Sequence, residues 1–312
     1  MYGIFAAIVG VLTACQSRSN GALSKAIHNG VAAALISFGS GWIILFILCF
    51  GVKKERAGIA LLVNGIKLKK LKWWELIGGM AGGFFVAVQS IAVPQIGVAI
   101  FTICIIGGQT ASSLVVDRMG ITPKGKQHIT APRIFAAIMT LVAVTVAVYP
   151  KLQSSTFKLT PVILAVTVGA IVSFQQGVNA RVNEISRRPL ATTFLNFMMG
   201  SFVLTIALLV DFANGGSIGA LPSNPLDYLG GIIGVIFIAV SAFTIKHMGI
   251  LNFLLFSVSG QLFGAILLDW LWPATGVTLS SYLIYGTLIT LGSIGMSQYF
   301  TKRSLQTESV HI

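Results

Sequence analysis

Two apolar stretches of the chain decide its fold: GVAIFTICIIGGQTASSLVVD, residues 97–117, and GILNFLLFSVSGQLFGAILLD, residues 249–269. Each is long enough to cross a bilayer as a helix, which takes about 20 mostly apolar residues. At a shift of 152 they share the same small and polar residues: Gly97 with Gly249, Gly108-Gln109 with Gly260-Gln261, and Asp117 with Asp269. Polar residues that repeat inside apolar segments indicate an internal duplication.

The N-terminal part of each half repeats as well, at a shift of 159. Gln16 and Asn20 correspond to Gln175 and Asn179, and the pair Phe38 and Gly41 corresponds to Phe197 and Gly200. The change from 159 to 152 places seven additional residues in the basic segment of the first half. The duplication therefore covers most of the chain.

The composition is that of a membrane protein. Of the 312 residues, 55% are hydrophobic and 9% are charged, whereas a soluble domain has about 25% charged residues. The net charge of +13 would suggest nucleic-acid binding in a soluble protein, but here the basic residues lie between long apolar runs. We therefore exclude a soluble enzyme, a nucleic-acid binder, a disulfide scaffold and a disordered chain. The three cysteines and four histidines show no metal-ligand spacing, so we expect no metal and no cofactor.

The long apolar segments predict an all-α, polytopic membrane bundle of ten transmembrane helices. The predicted spans are residues 3–24, 31–51, 74–93, 97–116, 132–149, 160–180, 190–211, 228–245, 249–270 and 281–300. Residues 1–150 form a first five-helix repeat, residues 151–300 a second one, and residues 301–312 a cytoplasmic tail. Because five is odd, the second repeat enters the membrane from the opposite side, so the two repeats are inverted.

The basic residues predict the orientation. With the N-terminus in the cytoplasm, 17 of the 21 Lys and Arg residues fall on the inner side. Cytoplasmic loops carry an excess of Lys and Arg. We therefore expect both termini in the cytoplasm.

Three motifs carry a resemblance to a known family. They are QxxxN at residues 16–20, ALISFxxG at residues 34–41 and GQxxxSLxxD at residues 108–117, each with a partial repeat in the second half. With ten spans, they resemble the YdcZ-like inner-membrane exporters of the drug/metabolite transporter superfamily, in their fused long form. The resemblance implies a multi-pass protein of the bacterial inner membrane with a central cavity between its halves, and it identifies no substrate.

The repeated amides are the candidate substrate-pathway residues: Gln16, Asn20, Gln109, Gln175, Asn179 and Gln261. Residues four apart share one helix face, so each QxxxN motif presents two amides on the same side. An amide facing lipid is costly, so these faces should point into the bundle. There they either line a solute pathway or join helices by hydrogen bonds, and the sequence leaves both interpretations open.

Asp117, Asp269 and Arg18 are candidate gate or proton sites. Both aspartates lie near span ends, where helix capping is the alternative role. Arg18 corresponds to Gly177 and so breaks the repeat; it either counters an anionic substrate or extends to the headgroups. No carboxylate lies at the middle of a predicted span, which argues against simple exchange of protons for lipophilic cations.

These features favour a secondary transporter that moves a small polar or amphipathic metabolite, or a drug, by alternating access, acting as an exporter. The alternatives are a membrane-embedded lipid-modifying enzyme and a passive channel or scaffold. We expect no catalytic residues because the spans lack clustered Asp, Glu or His. The expected partners are the lipid bilayer and an unidentified small molecule but no nucleic acid, and a homodimer is also considered.

Overall fold

The computed structural model describes residues 1–123, 125–153, 155, 157–273 and 279–310, without the side chains of residues 242, 250, 251 and 301–310. These residues form α-helices and one short 3-10 helix, Pro225–Tyr228. The helices are α1 Tyr2–Ile27, α2 Gly30–Gly51, α3 Lys53–Lys67, α4 Trp73–Leu76, α5 Gly79–Ile96, α6 Val98–Met119, α7 Ala131–Leu152, α8 Thr160–Ser186, α9 Pro189–Ala213, α10 Gly230–Met248, α11 Ile250–Leu271 and α12 Ser281–Val310. The predicted all-α fold is confirmed.

Eight candidate spans in the described part of the chain are long and apolar enough to cross a membrane. They are α2, the segment made of α4 and α5, and α6 to α11. Helix α1 carries Gln16, Arg18 and Asn20, which lower its hydropathy. It nevertheless packs against α10 and α11, and α12 packs against α7. Both of these helices are therefore part of the same bundle.

The basic segment between the second and third predicted spans is partly helical. Helix α3 has a buried side formed by Gly58, Leu62 and Gly65, with its basic residues exposed. A Cβ atom placed on Gly65 would lie 2.6 Å from Ile185 Cγ2, so α3 lies close against the end of α8. The segment is an amphipathic helix whose buried side packs on the end of α8 and whose basic side chains are exposed.

The predicted C-terminal tail continues the last helix. Helix α12 continues to Val310 and takes in most of the predicted tail. The last two residues of that tail lie outside the described residues, as does Lys124, one of the basic residues used to predict the orientation.

Glycines shape the two tight turns that join consecutive spans. Gly97 separates α5 from α6 with a φ of 85° and a ψ of 167°, and Gly249 separates α10 from α11 with 79° and 158°. This backbone region is open almost only to glycine. The repeated Gly97 and Gly249 therefore allow each helix pair to reverse direction within one residue.

The two ends of the bundle are distinguished by their carboxylates. At the Asp269 end, Asp269 meets the beginning of α6 and Asn29 donates a hydrogen bond to Asp211 Oδ2 at 2.7 Å. At the Glu75 end, Glu75 pairs with Arg181, and Asp117 pairs with Arg133. These two names are used below for the opposite ends of the bundle.

Candidate functional site

Two stacked aromatic rings lie where α2 packs against α9. Phe38 and Phe197 are both buried, with ring centroids 4.6 Å apart and an interplanar angle of 14°. A Cβ atom on Gly200 would lie 2.3 Å from Phe38 Cε1, and one on Gly41 would lie 2.3 Å from Phe197 Cε1. Each ring therefore occupies space left by a glycine of the other helix. We call Phe38 and Phe197 the aromatic pair.

Gln16 and Gln175 lie beside the aromatic pair in equivalent positions. A Cβ atom on Gly82 would lie 2.9 Å from Gln175 Nε2 and 3.3 Å from Phe38 Cζ. A Cβ atom on Gly234 would lie 3.2 Å from Gln16 Nε2 and 3.2 Å from Phe197 Cζ. The structure thus brings both predicted amides to the same aromatic contact from opposite halves of the chain.

These two amides form no hydrogen bond with any residue that the structure describes. Gln175 is only 8% exposed, and Gln16 is half-buried. Their amide groups are therefore open to hydrogen bonds from outside the protein. A ligand with a donor or an acceptor can bind to them here.

Asn20 has a different environment. Its Nδ2 donates to Gln89 Oε1 at 2.6 Å, and Gln89 Nε2 donates to Ser17 Oγ at 2.7 Å, with all three side chains buried. This cluster joins α1 to α5, so Asn20 acts there as a link between helices. Its counterpart Asn179 is half-buried and forms no side-chain hydrogen bond within the described part of the chain.

Gln109 and Gln261 follow the glycines at two close helix crossings. A Cβ atom on Gly108 would lie 2.0 Å from the backbone oxygen of Val166, and one on Gly260 would lie 2.1 Å from that of Ala7. The glycines therefore permit backbone contact of α6 with α8 and of α11 with α1. Both glutamines are half-buried next to these crossings.

The two repeated aspartates make different contacts. Asp269 is 2% exposed and accepts hydrogen bonds from the backbone N–H groups of Val98 at 3.0 Å and Ala99 at 2.8 Å. A carboxylate in this position satisfies free N–H groups and complements the helix dipole of α6. Asp117 instead forms an ion pair with Arg133 of α7.

Arg18 lines a cleft of about 370 Å³ at the Asp269 end, together with Lys25, His28, Pro94 and Pro273. The charge of Arg18 reaches both Asp269 and Asp227, which lies in the 3-10 helix before α10. Burial raises the pKa of Asp227, and the nearby Arg18 guanidinium partly opposes this rise. The cleft is therefore a region of basic side chains with two carboxylates close by.

Several contacts could not be predicted from the sequence. Glu75 is buried, pairs with Arg181, and accepts a hydrogen bond from the Lys72 N–H at 2.7 Å. Gln89 is a single amide inside a predicted span, a signal that indicates a polar contact but not its partner. The aromatic pair was visible as a repeat of Phe38 in Phe197, although its stacking was not.

The bundle of long apolar helices, with amides and aromatic rings between them, defines a polytopic helical membrane protein. The sequence profile of the family described as "Putative inner membrane exporter, YdcZ" matches residues 1–146 and 160–296. The chain belongs to this family, as the sequence motifs predicted. The family is one of transporters, not of enzymes. A search of curated proteins finds no match to the chain.

Proposed function

We propose that the protein is a secondary transporter that exports a small polar or amphipathic metabolite, or a drug, across the inner membrane by alternating access. The observation that carries this proposal is the aromatic pair with Gln16 and Gln175 on its two sides. Aromatic rings supply apolar contact area, and amides with free donors and acceptors bind polar groups. A site of this kind between two halves suits a solute that has both an apolar part and a polar part.

The proposed architecture is ten spans in two inverted five-helix halves. The helix contacts support it, because they recur in equivalent pairs: α1 packs on α10 and α11, while α8 packs on α5 and α6. The family profile matches two separate segments of similar length, which supports the duplication. In such transporters the solute site lies between the repeats near the middle of the bilayer.

The proposed orientation has both termini in the cytoplasm. The Glu75 end carries the basic helix α3 and the segment that leads from it to α4, and this distribution fits the cytoplasmic side. The Asp269 end would then face outward. Rocking of one half against the other would expose Gln16 and Gln175 alternately to the two sides.

The test begins with the purified full chain in detergent. A thermal-shift screen against a library of metabolites and drugs should identify solutes that raise the unfolding temperature, since a bound ligand stabilises the folded state. The best solute is then followed as a radiolabel in proteoliposomes. Wild-type protein should move it down or against a gradient in a saturable manner.

Gln175→Leu and Gln16→Leu should abolish this movement while the helical circular dichroism spectrum is retained. Gln176→Leu is the matched control because Gln176 is the next residue and is exposed. Gln175→Asn keeps an amide and covers the case in which the leucine variant does not fold. Transport at the wild-type rate in both leucine variants would contradict the assignment of these amides to the pathway.

A further inference from the structure

The cleft around Arg18 belongs to one end of the bundle. It lies between α1 and the C-terminal ends of α5 and α11, and Arg18 and Lys25 are two turns apart on one face of α1. Pro94 and Pro273 contribute apolar wall. The volume of about 370 Å³ is within the range of small-molecule sites.

The guanidinium of Arg18 is available to a ligand. It forms no ion pair or hydrogen bond with any residue that the structure describes, although it is half-buried. The two nearby carboxylates have other contacts: Asp269 accepts the N–H groups at the beginning of α6, and Asp227 lies 3.4 Å from Asn224 Nδ2. Arg18 therefore influences both acids by its charge without direct pairing.

Basic groups slightly outnumber acidic groups at this end of the bundle. Arg18, Lys25, Lys151 and Lys158 lie there with Asp211, Asp227 and Asp269, and of these acids Asp211 and Asp269 already accept hydrogen bonds. A planar guanidinium binds carboxylate or phosphate through two parallel hydrogen bonds.

The duplicated position shows that this cleft is not a consequence of the repeat. Arg18 corresponds to Gly177, and a Cβ atom on Gly177 would lie 3.2 Å from Val116 Cγ1 and 3.4 Å from Ile121 Cγ2. Gly177 is thus packed against the side chains of Val116 and Ile121. Its counterpart Arg18 instead lines a cleft at the Asp269 end.

From these observations we infer that the Arg18 cleft binds an anionic group, a carboxylate or a phosphate, of a small organic molecule. The inference rests on the proposed transport function, for which the cleft would be the entry or exit position of the solute. It narrows the substrate class to amphipathic or polar anions. A phospholipid headgroup shares this chemistry and is the second source to be distinguished.

The test measures binding directly, so that it does not depend on transport. Purified protein in the uncharged detergent dodecyl maltoside is titrated by isothermal calorimetry with succinate and with glycerol 3-phosphate, and with succinamide and glycerol as neutral counterparts. At least one anion should bind more tightly than its neutral counterpart. Arg18→Gln should weaken that binding about tenfold or more, because a charge-assisted bidentate contact is lost.

Arg18→Lys should restore part of the affinity, because it keeps the charge and loses the fork geometry. Lys158→Gln is the matched control: it removes one charge at the same end from an exposed side chain. A parallel titration with phosphatidylglycerol in mixed micelles assigns the source. If this lipid displaces the soluble anion and its own binding depends on Arg18, the anionic site is supported and the headgroup is identified as its ligand.

Two results would overturn the inference: binding of none of the anions, or equal anion binding by the wild type and Arg18→Gln. The proposed function has a separate failure. If Arg18-dependent binding is present but no solute crosses the proteoliposome membrane, the transport proposal fails and the anion site remains. If a solute is transported but the wild type and Arg18→Gln bind the anions equally, the anion site fails and the transporter remains.

Discussion

Replacing Gly108 by alanine should separate α6 from α8. The new Cβ atom would lie 2.0 Å from the backbone oxygen of Val166, whereas non-bonded heavy atoms settle at roughly 3.5 Å. Because the obstacle is backbone, no side-chain rotation relieves it, and the helices must move apart by about 1 Å or more. Overpacking of this kind costs about 1–3 kcal/mol.

Gly260→Ala should have an effect of the same size and direction. Its Cβ atom would lie 2.1 Å from the backbone oxygen of Ala7, so the crossing of α11 with α1 is as close as that of α6 with α8. In detergent, each variant should unfold about 2–10 °C below the wild type when followed by circular dichroism. Gly39→Ala is the control, because no heavy atom lies within 4 Å of its Cβ position and alanine favours a helix.

The outcome separates two claims. Unfolding of Gly108→Ala at the temperature of Gly39→Ala would refute the close crossing itself. Destabilisation by only one of the two repeated glycines would refute the equivalence of the crossings. In that case the support that helix packing lends to the inverted duplication would be removed.

The remaining predictions concern charge and topology. Asp269→Ala should lower stability by about 1–2 kcal/mol, since two N–H groups of α6 lose their acceptor; thermal unfolding measures this, and an unchanged midpoint would contradict it. A double-mutant cycle with Glu75→Gln and Arg181→Gln should give a coupling of about 1–2 kcal/mol, reduced because Arg181 is 36% exposed; additive effects would exclude the pair as a stabilising contact. A reporter fused after residue 190 should be cytoplasmic, and one near residue 220 should be periplasmic; the reverse pattern would invert the topology.

Local sequence patterns predicted the helices. A helix in lipid satisfies its backbone hydrogen bonds within its own segment. A long apolar stretch of sequence is therefore enough to predict a membrane span. The repetition of Gly108 and Gly260 was also visible in the sequence, but not the helix that each one contacts. The position of Gln16 and Gln175 in equivalent environments also follows from their repetition, once the halves pack against each other.

The partners of polar residues could not be predicted because they depend on the three-dimensional arrangement of distant segments. Asn20 and Gln89 are 69 residues apart, and Glu75 and Arg181 are 106 apart. A period or a motif contains no information about which helix lies opposite. Helix α3 was missed for a related reason: its three buried residues are too few among basic ones to stand out from a charged loop.

The two halves differ at the position of Arg18, at one end of the bundle. Both halves need glycine where α6 crosses α8 and where α11 crosses α1. A Cβ atom on Gly108 or Gly260 would overlap the backbone of the facing helix. At the ends this restriction is absent, and Arg18 faces a cleft where Gly177 is packed against Val116. The proposed alternating access needs two similar halves that rock between two states, whereas the solution differs on the two sides of the membrane. Under this proposal the similar glycine crossings serve the rocking, and Arg18 is the position at which we expect solute selection.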